Sequence, residues 1–238
     1  MAAVASRPVD LSKQHRNSHT PAISDELPTS SIIAQCDEIQ VFDSQNNATS
    51  FGDLYKDTRG KVLIVFIRHF YCGVSPSTSS PSPLHIIQHH VLTFTKLCQQ
   101  YLRTLATTFP PTSTPFKTII IGHGSTSVMP SYIQTTSCPF PIYTEPSRQL
   151  YNLLGMTANI GMGSTRPQYQ TQSTMSTIVS SLVGELKAGT KIFSGGDYSL
   201  NGGEWVFEGG RVVWGHRMRN TRDHAEVGVL REVLGEVS

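Results

Sequence analysis

The residues best suited to chemistry in this chain are cysteines, four of them in 238 residues. Cys72 ends the stretch Lys61-Val-Leu-Ile-Val-Phe-Ile-Arg-His-Phe-Tyr-Cys72-Gly73, with Arg68 and His69 just before it. Cys98 heads a run of apolar residues at helical spacing. A cysteine attacks as its thiolate, which nearby positive charge and the free N–H groups of a helix start both favour. Two such thiols suit redox chemistry, in which one attacks a peroxide or disulfide and the other closes a disulfide behind it. They equally suit two buried small hydrophobes, the common fate of a free cysteine. The residues alone leave both readings open. Cys36, in an apolar lead-in, and Cys138, beside Pro139, are expected to be structural, with a distant resolving role as the lesser alternative.

The elements that must position these thiols follow from hydrophobic period. Val62 to Ile67 is a continuous apolar run after a turn at Arg59-Gly60, the pattern of a strand buried on both faces in a parallel sheet. Open α/β sheets keep their chemistry at the carboxyl edge of such strands, where Cys72 falls. Cys98, Tyr101, Leu102, Leu105, Ala106 and Phe109 make one apolar helix face, stopped by Pro110-Pro111. Phe116 to Ile121 repeats the buried-strand pattern and turns at Gly122-His-Gly124-Ser. That turn lacks the third glycine of a dinucleotide fingerprint and the Lys of a phosphate loop, so a tight strand-to-helix connection is expected.

Shorter signals fill in the rest. A strand is expected over Glu38 to Phe42, one helical turn at Phe51 to Tyr55, a helix over Met129 to Thr135 and a strand over Phe140 to Tyr143. Helices follow over Glu145 to Leu154 and Met175 to Leu186, the latter after a polar linker at Gly161 to Gln172. A hairpin of Glu204–Phe207 and Arg211–His216 turns at Glu208-Gly-Gly210. The last helix is expected to start near Asp223, with Glu226 three residues on as its capping partner. Arg217, Arg219 and Arg222 read as a solvated basic face paired with Asp223 and Glu226. Strands alternating with helices require a parallel centre, and the hairpin adds antiparallel strands, giving one α/β domain with a mixed sheet.

Composition bounds the function. A net charge of +2 argues against nucleic acid or an anionic membrane surface as partner. No stretch approaches the roughly 18 apolar residues of a membrane span. The first 31 residues, rich in Ser, Pro, His and Asn, are expected to be a disordered tail without signal or transit character. Few cysteines for the length point to cytoplasmic thiols rather than a secreted disulfide scaffold.

Several stretches together resemble the peroxiredoxin-like family related to alkyl hydroperoxide reductase and thiol-specific antioxidant proteins. They are Val62-Leu-Ile-Val-Phe-Ile-Arg-His-Phe-Tyr-Cys-Gly, Thr118-Ile-Ile-Ile-Gly-His-Gly-Ser and Cys138-Pro-Phe-Pro-Ile-Tyr-Thr-Glu-Pro-Ser-Arg-Gln-Leu-Tyr. Asn201-Gly-Gly-Glu-Trp-Val-Phe and Trp214-Gly-His-Arg-Met-Arg-Asn-Thr-Arg-Asp-His complete the set. The resemblance spans roughly residues 33 to 236. It implies a thioredoxin-like fold, with a parallel-centred mixed sheet, a C-terminal antiparallel hairpin and helices on both faces. It also implies reduction of a peroxide, disulfide or endoperoxide, with no bound cofactor and an external thiol reductant such as thioredoxin or glutathione. Members carry Cys-x-x-Cys at the strand-to-helix junction, which makes Cys72 the nucleophile, Cys98 the candidate resolving thiol and Arg68 a charge beside them. A non-catalytic thioredoxin-like binding or accessory protein is the alternative.

The spacing departs from that pattern, since 25 residues separate the two cysteines. Val74 to Leu97 is low in complexity at its front and has neither a helical nor a strand period. Removing Val74 to Lys96 would leave Cys72-Gly73-Leu97-Cys98, a Cys-x-x-Cys at the helix start. The segment therefore reads either as an in-frame intron retained in the translated sequence or as a surface-loop insertion, which folds tolerate. Sequencing the transcript across codons 72 to 98 decides between them. His85, His89 and His90 within it lack the carboxylate or cysteine partners of a metal site, and none is expected.

Overall fold

The computed structural model describes residues 25–70, 98–156, 196–197 and 199–236. Cys72, the segment 74–97, the polar linker and the helix expected over Met175 to Leu186 lie outside the described residues. So does most of the N-terminal tail.

The two apolar runs form the middle of the sheet. Strand β3 (Lys61–Phe66) and strand β4 (Lys117–Gly122) pair in parallel, with every residue from Val62 to Phe66 buried. Each such side chain contributes about 1.5–3 kcal/mol by leaving water. Strand β5 (Ile142–Thr144) continues the parallel set beyond β4. On the other side of β3 lies β6 (Gly203–Glu208), antiparallel and hairpinned to β7 (Arg211–Arg217) through Gly209 and Gly210 at positive φ. The far edge carries β1 (Gln40–Phe42) and β2 (Ala48–Ser50), giving the order β2-β1-β5-β4-β3-β6-β7.

Helices cover both faces, and strand alternation sorts the core into two layers. Leu63, Val65 and Ile67 face helix α2 (residues 98–108), helix α3 (Met129–Thr136) and helix α5 (Val227–Leu234). Val62, Ile64 and Phe66 face helix α1 (Ser30–Asp37), helix α4 (Gln149–Leu153) and the 3-10 turn Gly52–Leu54. Parallel centre, C-terminal hairpin and two helical layers make this a thioredoxin-like α/β fold.

Residues 30–37 form helix α1, capped by Thr29. Two local readings need correction. The last helix begins at Val227 after Glu226, not near Asp223, whose carboxylate instead accepts the Arg219 backbone N–H at 2.7 Å. Arg217 is not part of a solvated basic face. It is buried over the Trp205 ring at 4.7 Å and donates to the carbonyls of Leu154 (2.5 Å) and Glu26 (2.8 Å). Its neighbour Arg219 pairs with Asp25, so β7 is stitched to the segment before α1.

The end of β4 is set by a close approach. A Cβ on Gly122 would sit 2.4 Å from the Phe70 ring, which also packs edge-on against Tyr132 at 5.2 Å. Gly122→Ala is expected to displace that ring and destabilise the fold by about 1–3 kcal/mol. A denaturant melt with an unchanged midpoint would refute this packing account.

Candidate functional site

The carboxyl ends of β3 and β4 are tied together before the chain leaves the sheet. Ile67 N–H donates to Ile121 O at 2.8 Å, and the Tyr151 hydroxyl is shared between Ile67 O (2.7 Å) and Ile121 O (3.0 Å). Tyr151 is fully buried, and burial followed by the charges of Glu145 and Cys98 holds its pKa well above the ordinary value. It is therefore a permanent donor. Glu145 supports it by accepting the Leu150 N–H at 3.1 Å and by pairing with the Ser147 hydroxyl, which shapes the entry to α4. Thr144 donates to Gly124 O at 2.5 Å, closing the Gly122-His-Gly124 turn as the tight connection expected from sequence.

Of the sequence-derived site residues, two are described and both lie at this edge. Arg68 follows β3 and is buried, and Cys98 is buried at the described start of α2. The nucleophile candidate Cys72 lies outside the described residues. His69 is buried beside Arg68, and burial, then the charges of Arg68 and His123, push its pKa well below the ordinary value. It supplies no positive charge at neutral pH, so of the two residues before Cys72 only Arg68 does. His123 is likewise pushed down to about 4, mainly by burial, and packs edge-on against Tyr151 at 4.7 Å.

Around Cys98 the structure gathers residues to which the sequence reading assigned no role. Cys98 Sγ lies 3.7 Å from His224 Nε2, and His224 Nδ1 lies 2.5 Å from Glu204 Oε1. Glu204 Oε2 also accepts the Ala225 N–H at 3.1 Å, and Tyr101 stacks on the imidazole at 4.2 Å. Because β6 runs antiparallel to β3, Glu204 stands opposite Val65, one residue before the end of β3. One signal was available beforehand. Glu204 alternates with Val206 on a strand face that packs into the core, where a carboxylate needs a specific partner.

Cys36 and Cys138 have no comparable setting. Burial pushes Cys36 up to about 12 and Cys138 up to about 11, so both are protonated and inert at neutral pH. Among the described residues no group of three or more His, Cys, Asp or Glu could hold a metal ion, and no helix is long and apolar enough to cross a membrane.

The fold is of the thioredoxin class, with one buried thiol, Cys98, at the carboxyl edge of its central strands. The family described as AhpC/TSA antioxidant enzyme matches residues 102–220, half of the chain, and the chain belongs to that family. Peroxiredoxin-like 2C of Bos taurus is 24% identical over 242 residues, covering 99% of this chain and 93% of its own length. The Homo sapiens protein of that name is 24% identical over 211 residues, covering 86% and 80%. Among solved structures, peroxiredoxin Q of Xanthomonas campestris aligns at 12% identity with a TM-score of 0.45, covering 89% of this chain and 93% of the other.

Proposed function

We propose that the chain is a thiol-dependent oxidoreductase that reduces a peroxide, disulfide or endoperoxide, with Cys72 as nucleophile and Cys98 as resolving thiol. The observation that carries this reading is the setting of Cys98. It faces a charged His–Glu pair at the carboxyl edge of β3 instead of the purely apolar surroundings that keep a cysteine inert. Family membership supports the peroxide-reducing class. With a peroxide, the Cys72 thiolate bonds to one oxygen as the O–O bond breaks, and the alcohol leaves after taking a proton. Cys98 sulfur then attacks the sulfenic acid, forming S–S as S–O breaks and water leaves. An external dithiol such as reduced thioredoxin, or glutathione, returns both thiols. Arg68 is the buried cation beside this chemistry. Such a cycle needs no bound cofactor and suits a reducing compartment, the cytoplasm.

The 25-residue spacing between the cysteines favours a second reading, a non-catalytic thioredoxin-like binding or accessory protein with its dithiol disrupted. Coupling peroxide and disulfide reduction to NADPH through thioredoxin and its reductase separates the two. Turnover that disappears in Cys72→Ser supports the enzyme; equal inertness of parent and variant supports the accessory protein.

A further inference from the structure

Cys98, His224 and Glu204 arrive from α2, the loop before α5 and β6, and are 1%, 4% and 0% exposed. A buried carboxylate is costly unless paired, and this one is spent wholly on His224 and the Ala225 N–H. With Nδ1 engaged by Glu204, the other ring nitrogen, Nε2, is the one directed at sulfur. The stacked Tyr101 ring and the hydrogen-bonded backbone fix the imidazole plane.

We propose that Cys98, His224 and Glu204 form an ionisation relay, in which Glu204 keeps His224 an imidazolium and that cation holds Cys98 as a thiolate. Glu204 is the positioning residue. On ionisation the proton leaves from Sγ to solvent, because Nε2 already carries its own. Burial pulls the His224 pKa down, but Glu204 and Cys98 outweigh it and bring it up to about 9, so the cation persists at neutral pH. Among the described residues, Tyr101 on α2 and Tyr151 on α4 also face the pair. Asp223, the preceding residue, is turned toward the Arg219 N–H and His216. The relay deepens the proposed function by giving the resolving thiol its own means of ionising, and it is testable without turnover.

The test is the ultraviolet thiolate absorbance of the full-length Cys72→Ser chain as a function of pH. Cys36 and Cys138 stay silent until far into alkali, so the first thiolate to appear reports Cys98. Its midpoint is expected below the ordinary value of about 8.5, and the signal is expected to vanish in Cys72→Ser/Cys98→Ser. Adding Glu204→Gln is expected to raise the midpoint by about one unit or more, leaving roughly tenfold less thiolate at neutral pH. A midpoint at or above the ordinary value with Glu204 present overturns the relay, as does a midpoint that Glu204→Gln leaves unmoved. Should the glutamine chain fail to fold, the titration with Glu204 present decides alone. A low midpoint in a chain whose Cys72-bearing form turns over no peroxide or disulfide keeps the relay and removes the catalytic reading. An ordinary midpoint with full turnover does the reverse.

Discussion

Replacing Glu204 with leucine is expected to lower stability by about 3–5 kcal/mol, the cost of removing one partner from a buried charged pair. Two buried groups lose the same acceptor at once. The His224 imidazole keeps no carboxylate at Nδ1, and the Ala225 N–H loses the acceptor that leads the chain into α5. The same substitution should change how stability depends on pH. His224 is raised in the folded state to about 9, against an unfolded value near 6.5, so the folded protein binds the extra proton between those limits. Its contribution is fully present below about pH 6.5 and is lost as pH rises through about 9. For His224 alone the amount is on the order of 3 kcal/mol, and it is partly offset wherever Cys98 is a thiolate only in the folded chain, which there binds one proton fewer. Glu204→Leu should shrink that decline, because the cation then has only Cys98 to offset the cost of its burial. Urea melts at several pH values across this window check both parts. A loss under 1 kcal/mol with the decline intact would show that the pair is not coupled as described.

The second large effect concerns turnover. Cys72→Ser is expected to reduce peroxide or disulfide turnover by roughly a thousandfold or more, as deletion of a covalent nucleophile does. Cys98→Ser should still allow a single oxidation of Cys72 and then stall without forming the intramolecular disulfide. The 25-residue spacing sets a further expectation. For a flexible segment of that length, loop closure costs about 2 kcal/mol more than across two residues. A chain lacking residues 74–96 should therefore resolve its oxidised Cys72 roughly tenfold to thirtyfold faster. Rapid-quench measurement of disulfide formation in both chains checks this, and equal rates would mean that the segment does not separate the thiols.

How much could be read from the residues depended on whether a pattern was local. Strands β3 and β4 were legible because continuous β-branched runs admit few other placements in an α/β sheet, and α2 because its apolar spacing is regular. Strand β2 was not, since Ala48–Ser50 is three residues of a half-exposed edge with no hydrophobic alternation. Helix α1 hid in Ser30–Asp37, where only Ile33, Cys36 and Asp37 are buried and no long period develops. The start of α5 shows tertiary structure overriding a local signal. Asp223 with Glu226 satisfies the capping pattern, yet Glu204 holds His224 and the Ala225 N–H, and the helix starts beyond them. The site divides in the same way. Cys98 and Arg68 stood out by residue type and position. The His224 partnership spans 126 residues to Cys98 and 20 to Glu204, and no local motif records such distances.

The most direct measurement of the account is the location of the disulfide after one equivalent of peroxide. The full chain is oxidised, its remaining thiols are blocked, and peptides are mapped by mass spectrometry before and after reduction. A Cys72–Cys98 disulfide is the predicted product, with Cys36 and Cys138 recovered as blocked thiols. Four unoxidised thiols, or a disulfide that omits Cys72 or Cys98, would contradict the account.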